Sequence, residues 1–506
     1  PSYRIDPAVP IGLAELARPA FEGGGLVAGD TPEIASASMI VNPGANAAAQ
    51  MEWTYALVGP FATVPDDVAL TDLQAYWNGT AAGLPDFANP PQWVLTADVR
   101  AWLAATWGEP AVSVLVDSPD TLVDSLWNTR PSVGLIPFHQ LSPRLKVLTV
   151  DGQSVLTRDV DLSAYPFKLS VGVVGSDDQG LQIANNLAMN ATIPPTNRDP
   201  SRISDVTMTG VTALVRATAW HMNLYGFDYP SFEIMPFLQT ADILHTSNEV
   251  AFWEDCPDPE LYGDLQFCSQ PKTVQLLETI GLDVVELTGN HVNDFGIEPL
   301  GYSMLMYDNR EIVYFGGGRT TEEAQTPRIL TTPDGTRVAF VGCNAVGPAT
   351  AWATIETPGA ANCGDWMWIE TVIQTLKAEN QADLVIATVQ HRERQSYIPD
   401  PAEIADYERL AIAGADIVAG TSSHVPQGFG FAGDGFVHYG LGNLFFDQMD
   451  FIENRQLFAD KHILYEGRHI STVLFTGMME NWSQPRPMTP EERAEFLQLI
   501  FDVSSW

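Results

Sequence analysis

From Ile203 to about Gly467 the sequence alternates short apolar runs with helix-like stretches, and no other feature restricts the fold as much. The runs are Ile243-Leu244, Val284 to Leu287, Val338 to Val341, Leu384 to Val389 and Ile417 to Ala419. Unbroken apolar runs of this length predict strands buried on both faces, as in a parallel sheet. The stretches between them predict helices: Lys272 to Ile280 closed by Gly281, Trp366 to Glu379, and Pro401 to Ala413 closed by Gly414. Glycine just beyond a helix supplies the turn that ends it. Strands and helices in alternation predict a layered α/β domain.

Polar residues follow each run directly. They are HTSNE (His245 to Glu249), TGNHVNDFG (Thr288 to Gly296), GCN ending at Asn344, QHRERQ (Gln390 to Gln395) and GTSSHVPQG (Gly420 to Gly428). Ligand sites in α/β sheets lie outside the carboxyl ends of the strands, so five such loops would deliver His, Asn, Asp, Glu and Ser to one crevice. Histidine, asparagine and carboxylate side chains on separate loops suit a divalent cation that polarises a phosphoryl or acyl oxygen. Taken singly, each also suits an ordinary hydrogen-bonded place in a core. Asn290 and His291, ahead of Asp294 and Gly296, suit that role least.

The chain of 506 residues is too long for one compact core. A Pro/Asn-rich stretch, NATIPPTNRDPSR, predicts a linker at 191–202 between a first domain, 1–190, and a second, 203–469. Residues 470–506 are expected to form a C-terminal helical tail, with Thr489 capping a helix that Pro490 opens. In the first domain, Trp53 to Ala62 and Val112 to Val116 predict strands. Asp98 to Thr106 and Pro119 to Trp127 predict helices. With WTYALVGPFATV, LTDLQAYWNG and GLIPFHQLSPRLKVLTVDG, this segment resembles a type II periplasmic solute-binding domain. The resemblance implies an α/β fold with a small ligand held between two lobes.

Acidic residues outnumber basic ones by 63 to 25, a net charge of -38. Such a field repels phosphate backbones and anionic lipid, which argues against nucleic acid as a partner. No apolar run is long enough to cross a membrane as a helix. The four cysteines include no CxxC pair and allow three disulfide connectivities. The simplest joins Cys256 to Cys268 and Cys343 to Cys363, each pair closing a turn-rich segment; four buried thiols are the alternative. Disulfides would place the protein outside the cytoplasm. A chain that opens at Pro1 without a signal peptide fits a mature secreted form, extracellular or at the cell surface, and is compatible with a lipid anchor upstream.

TGNHVNDFG, followed by a helix and FGGG (Phe315 to Gly318), resembles the signature of the CapA family of bacterial capsule-synthesis proteins associated with poly-γ-glutamate. TGVTALVR (Thr209 to Arg216), ADILHTSNE (Ala241 to Glu249), ADLVIATVQH (Ala382 to His391), AGADIVAGTSSH (Ala413 to His424) and YGLGNLFFDQ (Tyr439 to Gln448) follow in the family's order. The resemblance implies a metallophosphatase-like layered α/β domain, here preceded by the binding-protein-like one. It implies metal ligation by Glu249, Asn290, His291, His391 and His424. It implies proton transfer by His291, Asp294 or His391, and substrate contacts from Arg216, Asn248, Asn344, Glu393, Ser422 and Asn443. Several family positions differ: Val211 stands where the family carries an Asp ligand, Ser247 replaces an Asn, and Ser422 replaces a His. Glu393 and Gln395 replace the Gly and Glu of the family's His-Trp-Gly-x-Glu block. Valine cannot ligate, so the expectation is an empty site or a single divalent cation, Zn, Mn or Fe.

Two functions follow from the resemblance. One is a secreted metal-dependent hydrolase or transferase of capsule or exopolymer synthesis or processing, with a degenerate metal site. The other is a non-catalytic extracellular binding or structural surface protein that keeps the fold. In either case the partner is an extracellular polymer or a small-molecule ligand.

Overall fold

A computed structural model describes residues 1–29, 35–44, 47–189, 193–263 and 265–506. The chain divides into two compact units, Pro1–Ile203 and Ser204–Trp506.

The first unit is built on a mixed sheet. The long strand Ala49–Pro60 pairs antiparallel with Lys168–Gly175, with Ser132–Pro137 and with Leu145–Val150. Helices Ile11–Gly23, Leu70–Trp77, Ala97–Trp107, Leu122–Asn128 and Asp178–Ala188 accompany it. The α/β class expected for this segment holds. The first helix has its N-terminal amide, on Ile11, bonded to Asp98 Oδ2 at 3.0 Å. A carboxylate there satisfies one of the amides a helix start leaves free. Part of the stretch read as a linker is tied down. Asn197 bonds both main-chain groups of Thr54, at 2.7 and 2.9 Å, and Arg198 Nε donates to Val155 O at 2.7 Å. Residues 191 and 192 lie outside the described residues.

Among the described residues the second unit holds two large sheets and a small two-stranded one, Gly317–Gly318 with Gly359–Ala360. One large sheet runs Val313–Phe315, Val284–Glu286, Ile243–Asn248, Ile203–Thr209, Gln456–Tyr465, Arg468–Glu480, Gln484–Pro487. The other runs Arg328–Thr331, Arg337–Asn344, Leu384–Gln390, Ile417–Gly420, Gly435–His438, Phe429–Ala432. Residues alternate between the faces of each strand. Leu244 and Val285 pack outward against helix residues such as Leu300 and Met304 of Ile297–Asp308. In the other sheet Val341, Val385 and Val418 pack against Ile369, Ile373 and Leu410 of helices Met367–Ala378 and Pro401–Ala413. The intervening residues meet between the sheets. His245 and Phe315 contact Phe340, Phe429 contacts Phe458, and His438 Nδ1 lies 2.6 Å from Asp460 Oδ2. The unit is thus four layers, helices outside and two sheets within.

Two expectations are corrected here. Residues 470–480 and 484–487 are strands, not a helical tail: Arg468–Glu480 pairs with Gln456–Tyr465, and in this stretch only Pro490–Asp502 is helical. The first apolar run also extends through HTSN to Asn248, because His245 and Ser247 fall on the inner face instead of in a loop. The expected disulfides Cys256–Cys268 and Cys343–Cys363 are both present.

Candidate functional site

Strand parity decides which side chains reach the crevice at the carboxyl ends of the second unit's strands. Glu249 continues the inner face of Ile243–Asn248 and is fully buried, with no hydrogen-bond partner on either carboxylate oxygen. Gly289 makes this possible. A Cβ there would fall 2.4 Å from Glu249 Cα, so only glycine lets the loop of Asn290 and His291 cross so closely.

His424 Nε2 lies 3.9 Å from Glu249 Oε1 and 3.6 Å from Glu393 Oε2. Its Nδ1 is 2.8 Å from Asn443 Oδ1, and Asn443 Nδ2 donates to Asn454 O at 3.0 Å. The amide is therefore oriented with its oxygen on the imidazole, and Nδ1 carries a proton. Glu393 Oε1 accepts from Asn290 Nδ2 at 3.1 Å, and Asn290 Oδ1 accepts from Gln390 Nε2 at 3.4 Å. His291 Nδ1 is 2.7 Å from Asp294 Oδ2, which also accepts from the Phe267 amide at 2.8 Å.

Burial pushes the Glu249 carboxyl up, against the pull of His424 and His291. Burial alone would lower His424, but Glu249 and Glu393 outweigh it and hold the imidazole up at about 9. His291 is likewise raised, with burial opposed by Asp294 and Glu249. Glu393 lies below its ordinary value because His424, His291 and Asn290 outweigh its burial. The crevice thus interleaves carboxylates with two imidazoles whose charged forms those carboxylates favour.

Its apolar wall is Phe267 and Phe446. Their ring centroids are 4.4 Å from that of His291 and 5.3 Å from that of His424. The Arg216 guanidinium lies 5.0 Å from each phenyl centroid and binds both oxygens of Asp447, with Nε at 3.1 and 3.2 Å. Asp447 also accepts from the Ala217 amide at 2.8 Å. Val211 packs in the same apolar cluster, with Ala213, Val215 and Val250.

The structure brings Glu249, Asn290, His291, Asp294, Glu393 and His424 together. It does not bring His391 to them. That residue shares the outward parity of Val389, and its Nε2 is 3.2 Å from Asp406 Oδ2 on the outer helix. Gln390, one residue earlier, reaches the crevice instead. Asn248 also turns outward, and its amide donates to Tyr307 OH at 2.7 Å. Asn344 is occupied in holding its own loop: Oδ1 accepts from the Val346 and Gly347 amides and from Trp352 Nε1, while Nδ2 donates to Thr288 O at 2.8 Å. Asn443 positions His424, Arg216 is engaged by Asp447, and Ser422 is buried on the loop that carries His424.

Sequence reasoning missed Gln390, Phe267, Phe446 and Asp447. Parity along Leu384–Gln390 would have found the first. Phe267, beside Cys268 in an irregular loop, gives no periodic signal.

Among the described residues no three His, Cys, Asp or Glu side chains are grouped so as to hold a metal ion. The donor chemistry accounts for this. Val211 offers no oxygen, and His391 points to Asp406 on the outer helix. These residues do not fit a two-metal centre.

The family model for bacterial capsule synthesis protein PGA_cap matches residues 189–448. The capsule biosynthesis protein CapA of Bacillus anthracis is 25% identical over 317 residues, covering 62% of this chain and 77% of that protein. The PGA biosynthesis protein CapA of Bacillus subtilis is 24% identical over 219 residues, 42% of this chain and 56% of that protein, so the chain spans little more than half of that relative. Among solved structures, an ABC-type phosphate transport receptor from Vibrio cholerae matches 37% of this chain and 92% of its own. Its sequence identity is 14% and the TM-score 0.29, a likeness too loose to bear on what the chain binds.

Proposed function

Since the chain belongs to the bacterial capsule synthesis protein family PGA_cap, whose model spans just over half of it, we propose that it serves in the synthesis or processing of a capsule polymer of the poly-γ-glutamate type. The names of both Bacillus relatives support the process. The two disulfides support an oxidising location, outside the cytoplasm. Among the described residues no helix is long and apolar enough to cross a membrane.

The observation that carries the reading is Glu249, a fully buried carboxylate with both oxygens unpartnered, aimed into a crevice shared with His424, Glu393 and the His291–Asp294 pair. With His424 Nε2 only at 3.9 Å, both oxygens still lack a hydrogen bond, and a buried polar group left so is retained where a ligand completes it. A net charge of -38 opposes laying a long polyanion across the surface. The crevice therefore addresses one residue or one end of the polymer. His291, its Nδ1 oriented by Asp294, exchanges a proton at Nε2 with the bound group, and His424 and Asn290 hold Glu393 in place. The metal site is degenerate and no step runs through a metal.

Val211, packed against phenyl rings where the family carries Asp, favours a second reading in which the crevice binds without catalysis. One experiment separates the two. Poly-γ-glutamate is incubated with the full chain, and its length distribution and free amino ends are followed. A catalytic crevice changes both, and His291→Ala abolishes the change by 100-fold or more. Binding that Glu249→Gln weakens, with no change in the polymer, supports the second reading. No binding and no change refutes both.

A further inference from the structure

The charges that meet around Glu249 distinguish one end of a γ-glutamyl chain from the rest of it. Three carboxylates, Glu249, Glu393 and Asp294, meet two imidazoles, His291 and His424. Even with both rings protonated, one negative charge is left over. The nearby Arg216 does not remove it, because Asp447 engages that guanidinium. Side-chain exposure falls from Glu393, 41%, through Asp294, 16%, to Glu249, 0%. Glu393 and Asp294 each accept a hydrogen bond, from the Asn290 amide group and the Phe267 main chain, and neither oxygen of Glu249 accepts one. An ionised carboxylate can only accept, so a donor completes it, and a positively charged donor also balances the remaining charge.

Poly-γ-glutamate carries such a group in one place. Every interior residue has an uncharged amide and a free α-carboxylate, hence a net negative charge. The residue at the carboxyl end has a second carboxylate. At the amino end the α-carboxylate shares its carbon with an ammonium, so that residue alone has no net charge, and the ammonium brings three N–H donors. It is also the part of the polymer that a chain of net charge -38 repels least. An interior amide would offer Glu249 a single uncharged N–H beside a carboxylate that the crevice repels.

We propose that the crevice reads the free amino end of the polymer, seating the α-ammonium on Glu249; this rests on the reading of the crevice as a poly-γ-glutamate site. A protonated His291 directs its Nδ1 hydrogen at Asp294 and has its Nε2 hydrogen left for the α-carboxylate on the same carbon. The main-chain methylenes that set a γ-linkage apart from an ordinary peptide suit the apolar wall of Phe267 and Phe446, whose ring centroids are 5.8 Å apart.

The test is calorimetric titration of the EDTA-dialysed full chain with four forms of one short γ-linked glutamate oligomer: free, acetylated at the amino end, monomethylated at the amino end, and amidated at the carboxyl end. Acetylation removes the charge and should weaken binding to the wild type at least tenfold. Monomethylation adds bulk and keeps the charge, and amidation leaves the amino end untouched, so each should stay within threefold of the free oligomer. In Glu249→Gln, acetylation should cost less than threefold. Equal binding of the free and acetylated forms would overturn the proposal and leave the polymer reading standing. So would a monomethylated form that binds as poorly as the acetylated one, or a tenfold loss on acetylation that persists in Glu249→Gln. No saturable binding of any form by the wild type would overturn the proposal together with the reading on which it rests.

Discussion

The layer between the two sheets makes the protein sensitive to acid through a pair of buried histidines. His462 and His469 pack with ring centroids 5.0 Å apart, against Phe436. Both ring systems turn to the Thr472 hydroxyl, His462 Nδ1 at 3.0 Å and His469 Nε2 at 2.9 Å. That hydroxyl has one hydrogen, so it accepts from one ring and donates to the other, an arrangement for two neutral imidazoles. Burial pushes His469 down to about 3, with only the Ser471 carbonyl helping the charged form. Burial and the neighbouring His469 and His438 drive His462 down as well. A depressed histidine favours the folded state above its unfolded value, about 6.5, and that stability is lost as pH falls toward the folded value. For His469 the loss is about 2 kcal/mol by pH 5 and about 3 kcal/mol by pH 4. His462 adds to it in the same direction. Urea unfolding at pH 7.5, 6, 5 and 4 measures the effect on wild type and His469→Gln, whose difference cancels the many carboxylates they share. The variant should lose about 2 kcal/mol less between pH 7.5 and pH 5. Parallel curves for the two proteins would show that His469 is not held neutral by its burial.

Other perturbations have equally definite outcomes. Burial pushes Glu403, in the capping box of Pro401–Ala413, up to about 7. Its contribution to stability is full below about pH 4.5 and lost as pH rises through about 7. Glu403→Gln keeps the cap and should gain about 3 kcal/mol over wild type between pH 4 and pH 8 in urea unfolding. Arg216→Met leaves Asp447, 3% exposed, without its partner and should cost about 3–5 kcal/mol in the same assay. Replacing both Cys343 and Cys363 by Ser opens a loop of sequence separation 20 and should cost about 3 kcal/mol in chemical denaturation. Val211→Asp puts a carboxylate among Phe267, Phe446 and Val250. Its melting temperature should fall, and added Mn2+ should recover more of it than it raises in wild type.

The βα alternation was legible because burial dictates unbroken apolar runs. Leu384–Gln390, Ile417–Gly420 and Pro401–Ala413 match their sequence readings to within a residue. What the runs could not reveal is that they belong to two stacked sheets, since a strand buried on both faces reads the same in either arrangement. The strands Gln456–Tyr465 and Arg468–Glu480 escaped notice because their inner faces carry His462 and His469 where an apolar residue is expected. Within the site, loop position identified Glu249, Asn290, His291, Asp294 and His424. It failed for His391 and Asn248, because adjacent residues on a strand face opposite ways. Counting by twos from Val389 and Leu244 sends both toward the helices. Phe267 and Phe446 were invisible for a different reason: the sequence does not say which phenylalanines meet.

The crevice centred on the buried Glu249 should receive part of a γ-glutamyl polymer without a two-metal centre. Calorimetric titration of a short γ-linked glutamate oligomer into the EDTA-dialysed full chain tests it most directly. Saturable binding should be seen, and Glu249→Gln should weaken it at least tenfold while leaving the melting temperature unchanged or higher. No saturable heat in the wild type, or equal affinity in Glu249→Gln, would show that Glu249 does not serve a γ-glutamyl ligand.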